Sequence, residues 1–193
     1  MSKGGTMVMT DTDQAAVDLY LRDYRALIAR SIRERDGSPI PNGTLAHATV
    51  LMEAMFQTAS RKIRILTGEL NPRVYGTPEV VAYSRQFLAD SDHSLEIIFE
   101  GDFDENQAAR HPLLSAAGPG ANLRLWKLKP DFRSRVISHF ALMDDDTYRF
   151  EADKTKSSAV AAFGNKEFTK VLSDVFQTLR DRACIEMRLP VLA

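Results

Sequence analysis

From residue 44 onward the sequence alternates between strand-forming and helix-forming segments, and this alternation limits the folds that the chain can adopt. Short apolar runs typical of strands lie at 62–66, 95–99 and 123–128, with helical segments between them. Strands joined by crossover helices pair in parallel, whereas the hairpin at 137–151 and the strand at 158–163 add antiparallel strands. We therefore predict an α/β fold, with a mixed β-sheet flanked by helices.

The segments before the alternating unit define the expected domain organisation. We expect the small and polar residues 1–10 to form a disordered tail and residues 11–35 to form an N-terminal helix. A linker rich in glycine and proline follows at 36–43, and the α/β domain is expected to occupy residues 44–193. The apolar stripe of the N-terminal helix is expected to pack on the domain's own sheet; a second copy of the chain or another protein partner is the alternative.

Composition excludes several classes of protein. The formal net charge of −1 gives no overall attraction to nucleic acid or to acidic membranes, so any such affinity has to be local. No apolar run approaches the roughly 20 residues that cross a bilayer, so we predict no membrane span. The single cysteine, Cys184, allows no internal disulfide and fits a cytoplasmic protein.

The predicted hairpin carries the strongest indication of chemistry. If its three aspartates form the turn, Met143 pairs with Thr147, and His139 then lies opposite Glu151. Because side chains alternate along a strand, His139, Arg149 and Glu151 share one face, and the aromatic and leucine residues between them face the core. A histidine directly opposite a glutamate is close enough for the carboxylate to orient the imidazole ring.

Further candidate residues follow from the expected sheet. Ligands of open α/β sheets bind beyond the carboxyl ends of the parallel strands. That rule indicates Thr67 and Glu69 after the first strand and Glu100 after the second as ligand-binding residues. Lys154, just after the hairpin, adds a positive charge that suits an anionic ligand.

The chain resembles the phospholipase D-like family at these positions. That family carries His-x-Lys on a strand, then an aspartate, and a Gly-Ser-x-Asn-like segment before the last helix. The corresponding residues here are His139, Ala141 in place of the lysine, Asp144 or Asp146, and Gly164-Asn165. The order of elements from about 44 to 183 also resembles one half of that fold.

The resemblance implies a chemistry and also a departure from it. In the family, the histidine attacks the phosphorus of a phosphodiester, and cationic and amide side chains stabilise the transferring group. A chain with one motif copy is expected to form a homodimer, with a phosphodiester or nucleic acid as the possible ligand. Because Ala141 replaces the lysine, we expect a catalytically degenerate domain that binds a phosphate-bearing ligand or a protein partner.

The alternative is an active homodimeric phosphodiesterase or nuclease that forms a phosphohistidine at His139. In that case Arg149 and Asn165 stabilise the phosphate, and Glu151 orients the histidine. Arginine is a reasonable replacement for the missing lysine because its guanidinium binds phosphate oxygens in a bidentate way.

Other possible sites have simpler interpretations. The aspartates at 144–146 are interpreted as turn residues, with a divalent cation as the less favoured alternative. His47 is expected on the surface, and Trp126 in the core. The sequence contains no dinucleotide fingerprint and no cysteine–histidine cluster, so we predict neither a cofactor nor a metal.

Overall fold

The computed structural model describes residues 11–118, 120–156 and 158–188, with side chains from residue 18 onward. The expected tail at 1–10 lies outside the described residues. The helices are α1 (Asp11–Glu34), α2 (Leu45–Thr58), α3 (Pro72–Tyr75), α4 (Pro78–Leu88), α5 (Glu105–Arg110), α6 (Pro112–Ser115), α7 (Pro130–Arg133) and α8 (Lys166–Ala183). The strands are β1 (Ile40–Asn42), β2 (Lys62–Thr67), β3 (Ser94–Phe99), β4 (Leu123–Leu128), β5 (His139–Met143), β6 (Thr147–Glu151), β7 (Ala159–Phe163) and β8 (Cys184–Met187).

The strands form one mixed sheet of eight, in the order β1-β7-β6-β5-β2-β3-β4-β8. Strands β2, β3 and β4 pair in parallel, and each of the other pairings is antiparallel. The sequence prediction of an α/β fold with a mixed sheet flanked by helices is confirmed. The predicted hairpin register is also confirmed, since Met143 pairs with Thr147 and His139 pairs with Glu151.

The sheet separates two apolar cores. On one face, α1, α2, α4 and α6 cover alternate residues of the central strands, such as Ile63, Ile65 and Ala141. On the other face, α8 covers the intervening residues, such as Leu66 and Phe140. This alternation follows from the two-residue period of a strand, and it places His139 on the side of α2 and Arg64 on the side of α8.

The N-terminal segment packs on the domain. Tyr24 and Ile28 of α1 are buried in the core, and Arg25 forms an ion pair with Glu53 of α2. The expected linker contains strand β1, which pairs with β7 at the edge of the sheet. An edge strand tolerates proline, because Pro41 has no N–H to contribute to the hydrogen-bond ladder.

The expectation of an exposed His47 is wrong. The residue is 6% exposed, and its ring stacks on that of Tyr24 with centroids 3.9 Å apart. The helix α1 covers this face of α2, so a side chain that a lone amphipathic helix would expose is buried. Trp126 lies in the α8-side core, as predicted.

The hairpin turn confirms the structural interpretation of the three aspartates. Asp144 has a φ of 52°, and its carboxylate accepts hydrogen bonds from the backbone N–H groups of Ser60, Arg61 and Lys62.

None of the helices within the described ranges has both the length and the apolar character needed to cross a bilayer.

Candidate functional site

A cleft of about 240 Å³ lies beyond the carboxyl end of the parallel strand β2. The antiparallel strand β5 begins there, because Phe140 pairs with Leu66 near the end of β2. The cleft is bounded by the end of β2, the hairpin, the start of α2 and the loop after β6. Of the residues predicted from the sequence, it is lined by Thr67, Glu69, His139, Arg149, Glu151 and Lys154.

His139 lies between two carboxylates. Its Nε2 atom is 2.8 Å from Oε2 of Glu100, and its Nδ1 atom is 3.7 Å from Oε2 of Glu151. The first distance is that of a hydrogen bond, whereas the second is an electrostatic contact. The side chains of all three residues are largely buried, so these interactions are only weakly screened by water.

Glu100 is the residue that brings His139 and Lys154 together. One of its carboxylate oxygens bonds to His139, and the other forms an ion pair with the ammonium group of Lys154. Burial favours the neutral form of Glu100, but the hydrogen bonds and charges of Lys154 and His139 outweigh it and lower the pKa of the carboxyl. The sequence indicated Glu100 as a ligand-binding residue; here it contacts the histidine directly.

Arg149 connects the cleft to the N-terminal segment. Its Nη2 donates to Oε1 of Glu151 at 2.6 Å, and its Nε donates to Oδ1 of Asn42 at 3.2 Å. Asn42 is 1% exposed, and its Nδ2 donates to the hydroxyl of Tyr24 at 3.2 Å. A continuous set of polar contacts therefore runs from α1 through β1 to the hairpin and on to His139.

This set of contacts favours the charged form of Glu151. Burial raises its pKa, but the contacts with His139 and Arg149 have the larger combined effect, and the pKa of the carboxyl is lowered. The predicted orienting contact between Glu151 and the ring is present at 3.7 Å, and it is longer than the contact with Glu100.

The backbone between β2 and β3 fixes the position of Glu100. The N–H of Glu100 donates to the carbonyl of Thr67 at 2.8 Å, and the N–H of Gly101 donates to that of Gly68 at 3.0 Å. A Cβ atom at Gly101 would lie 2.7 Å from the Gly68 carbonyl oxygen, so only glycine allows this approach. Gly68 also lies beside the imidazole, since a Cβ there would be 3.3 Å from Cε1 of His139.

Asn165 is not brought to this cleft. Phe163 pairs with Thr147 at the turn end of the hairpin, so the chain leaves β7 at the end opposite His139. The Asn165 side chain instead accepts a hydrogen bond from the N–H of Phe168 and caps α8. The expectation that Asn165 lies beside His139 is therefore wrong, because the long loop and strand β7 carry the chain away from the cleft.

The loop after β6 places further polar side chains at the cleft. Lys154, Thr155 and Lys156 line the cleft together, and Lys156 forms a 3.1 Å ion pair with Asp153. Ala141 is buried directly opposite Arg149 in the hairpin, so the arginine is the cation nearest the position of the missing lysine in the ladder. The lysines of this loop were visible in the sequence, but Asn42 lay in a segment interpreted as a linker and gave no signal.

The contacts determine which nitrogen of His139 carries a hydrogen. An ionised carboxylate can only accept hydrogen bonds, so Nε2 donates to Glu100. A nitrogen that donates in this way has no free lone pair with which to attack phosphorus. In this arrangement, His139 acts as a hydrogen-bond donor at the wall of the cleft.

Within the described residues, no group of three or more histidine, cysteine, aspartate or glutamate side chains has the arrangement of a metal site.

The basic residues of β4 and the following loop lie apart from the cleft. Lys127 and Arg133 instead face Asp102, at 3.7 and 2.8 Å.

The architecture is similar to that of solved structures of the phospholipase D class. The phospholipase D family member Nuc from Salmonella typhimurium has a TM-score of 0.51 and 15% identity, with 79% of this chain and 99% of that chain covered. NucT from Helicobacter pylori has a TM-score of 0.51 and 11% identity, with the same two coverages. The chain therefore has a phospholipase D-like fold.

A further structural relative is a DNA-binding protein of a different kind. TrmBL2, an archaeal chromatin protein described with a novel mode of DNA binding, has a TM-score of 0.51 and 12% identity. The match covers 90% of this chain and 62% of TrmBL2. At these identities the similarity concerns the fold alone.

At the level of sequence, residues 44–192 match the model of a domain family of unknown function, DUF7931, and the chain belongs to this family. No curated protein matches the chain in sequence. Tyr24 and Asn42, which complete the contacts of Arg149, lie before the matched region.

Proposed function

We propose that this protein is a catalytically degenerate phospholipase D-like domain whose cleft binds a small phosphate-bearing ligand without hydrolysing it. The observation that carries the proposal is the 2.8 Å contact between Nε2 of His139 and Glu100. Because Nε2 donates in this contact, the atom that would act as the nucleophile is engaged. Ala141 removes the cation that the family's chemistry requires on the same strand.

The polar groups of the cleft favour an anionic ligand. The carboxylates of Glu100 and Glu151 are neutralised by Lys154 and Arg149. Both cations keep hydrogen-bond donors beyond those contacts, since an ammonium group has three N–H bonds and a guanidinium has five. Thr155 and Lys156 add donors at the rim. Such donors bind phosphate oxygens through charge-assisted hydrogen bonds.

The size of the cleft limits the ligand. A volume of about 240 Å³ lies below the range of roughly 300–1,000 Å³ that is common for drug-sized ligands. It accommodates a phosphate group with a small substituent. A double-stranded nucleic acid would contact only its rim.

A binding titration with p-nitrophenyl phosphate tests this proposal. Removing the charged donor of Lys154 in Lys154→Gln should weaken binding by about 10- to 100-fold, the equivalent of one charge-assisted hydrogen bond. Lys129→Gln, which removes an exposed lysine outside the cleft, is the matched control and should leave the affinity unchanged. Equal affinities of the two variants, or no binding by the wild type, would refute the proposal.

The alternative function is an active homodimeric phosphodiesterase, and the similarity to Nuc and NucT favours it. In that reaction, Nε2 of His139 would form a P–N bond as the P–O bond to the leaving alcohol breaks. A histidine from a second copy would give the alcohol its proton, and water would then release the phosphate. This route requires Glu100 to leave Nε2 first, and it predicts hydrolysis that His139→Ala abolishes.

The N-terminal helix supports a separate proposal about partners. Leu19 and Tyr20 of α1 are 49% and 57% exposed, and we propose that they contact a second copy of the chain or another protein. Deleting α1 would not test this, because Tyr24 and Ile28 belong to the core. Light scattering of the full chain tests this surface instead. If the wild type is a dimer and the Tyr20→Glu variant has the same mass, this surface is excluded from dimerisation. We also propose a cytoplasmic location, and this proposal is based only on the cysteine content.

A further inference from the structure

Arg64 is a buried cation on the face of the sheet covered by α8. It lies in the middle of β2 and is 4% exposed. Its Nη1 donates to the hydroxyl of Ser173 at 2.5 Å, and its Nη2 donates to the backbone carbonyl of Asp144 at 3.3 Å. Its Nε has no hydrogen-bond partner among the described residues. Both partners that it has are neutral groups.

No carboxylate within the described ranges forms an ion pair with Arg64. The adjacent residue in the ladder, Glu96, forms its ion pair with Arg180 at 3.9 Å. Burial lowers the pKa of Arg64, and the charges of Glu96, Asp145 and Asp144 oppose this shift without forming an ion pair with it. An unpaired charge in such a position is costly, and an anion at hydrogen-bond distance would offset that cost.

A second cavity gives access to this arginine. It has a volume of about 400 Å³ and is lined by Arg64 together with Thr169, Ser173 and the lysines Lys166 and Lys170 of α8. The hydroxyl of Thr169, a residue with no exposed surface, also lacks a hydrogen-bond partner.

The acidic residues of the cavity are already engaged by other cations. Asp145 forms an ion pair with Arg61, and Asp174 forms one with Lys170 at 2.8 Å. Among the described residues of the cavity, Arg64 and Lys166 are the cations that form no ion pair.

We propose that this cavity is a second anion site, which binds a phosphate group between Arg64, Thr169 and Lys166. The planar guanidinium suits a tetrahedral oxyanion, the threonine hydroxyl supplies a neutral donor, and the lysine supplies charge at the rim. The site is independent of the cleft at His139, because the two lie on opposite faces of the sheet. It does not depend on the function proposed for that cleft.

The first test uses NMR of the full chain titrated with inorganic phosphate. The Arg64 Nε–H signal, which is unpartnered in the structure, should shift downfield and saturate as it gains an acceptor. Backbone signals of Thr169 and Ser173 should follow the same binding curve. An unchanged Arg64 signal at saturating phosphate would overturn the proposal.

The second test uses variants that keep the packing. Arg64→Met should reduce phosphate affinity at this site at least about 10-fold, because it removes the charged donor. Its melting temperature in phosphate-free buffer should be equal to or above that of the wild type, since an unpaired buried charge is replaced by an apolar side chain of similar volume. Thr169→Val, which replaces the hydroxyl with a methyl group, should weaken binding about 2- to 10-fold.

Arg85→Met is the matched control, because Arg85 is exposed on α4. It should leave the phosphate titration unchanged. Wild-type affinity in both Arg64→Met and Thr169→Val would assign any phosphate binding to another surface. The cleft variant Lys154→Gln separates the two sites, since it should leave the signals around Arg64 unaffected.

Discussion

Asn42 supports the cleft from a position outside the matched family region, and its replacement gives a sharp test of the polar contacts described above. Asn42→Ala removes one hydrogen bond to a neutral hydroxyl and one from the charged Arg149. Neutral bonds contribute about 0.5–1.5 kcal/mol and bonds to charged groups about 1.5–3 kcal/mol. Because Asn42 is 1% exposed, water does not readily replace it. We expect a loss of about 2–4 kcal/mol in the free energy of unfolding.

Urea denaturation measures this loss, and two further variants interpret it. Tyr24→Phe removes only the neutral bond and should cost about 1 kcal/mol. The double variant that carries both Tyr24→Phe and Asn42→Ala should lose less stability than the sum of the losses of the two single variants, because both changes remove the same contact. Asn106→Ala, at an exposed position of α5, is the control and should stay within about 0.5 kcal/mol of the wild type. A loss for Asn42→Ala no larger than that of the control would refute the reasoning.

Three further predictions concern acid stability, the backbone and the cysteine. Because the folded-state pKa values of Glu100 and Glu151 lie below the ordinary 4.5, they contribute stability that is present above that value and is lost as the pH falls through the folded pKa values. Urea unfolding of the double glutamine variant should therefore show a weaker dependence on pH on the acid side, and an unchanged slope would contradict this. Gly101→Ala should lower the melting temperature because its Cβ meets the Gly68 carbonyl, whereas a wild-type melting curve would exclude that clash. Partial burial raises the pKa of the Cys184 thiol to about 11. A disulfide reagent at neutral pH should therefore react more slowly with the folded protein than with the protein in denaturant, and equal rates would contradict this protection.

The parts of the fold that follow from local patterns were predictable from the sequence. The strand β4 was predicted with its observed ends, because an apolar run between turn residues defines it. The hairpin register followed from its three-aspartate turn and from the alternation of His139, Ala141 and Met143 with core residues. The start of α4 is a local pattern of the same kind, with Thr77 as its cap and Pro78 as its first residue.

The remaining features depend on contacts between distant segments. β1 was not predicted because Pro39 and Pro41 flank Ile40 in a segment that resembles a linker. Only the position of β1 at the edge of the sheet, beside β7, makes these prolines acceptable. The expected exposure of His47 was wrong because its burial depends on α1, which no property of α2 reveals. Asn165 was expected beside His139 because the family resemblance implied that both residues contribute to one site, whereas its position depends on where β7 ends. The primary contact of Glu100 with His139 joins residues 39 positions apart.

The similarity to Nuc concerns the fold alone. In the function proposed above, Ala141 and the contact of Glu100 with Nε2 act against nucleophilic attack, whereas Arg149 and Lys154 hold a phosphate. The proposal thus separates binding from turnover.

The most direct test of this separation is ³¹P NMR of the purified full chain with bis-p-nitrophenyl phosphate. We predict no p-nitrophenyl phosphate product and no phosphohistidine signal, whereas the signal of added p-nitrophenyl phosphate, which fits the cleft, should shift or broaden in proportion to the protein. Product formation by the wild type that His139→Ala abolishes would contradict the account and establish the phosphodiesterase instead.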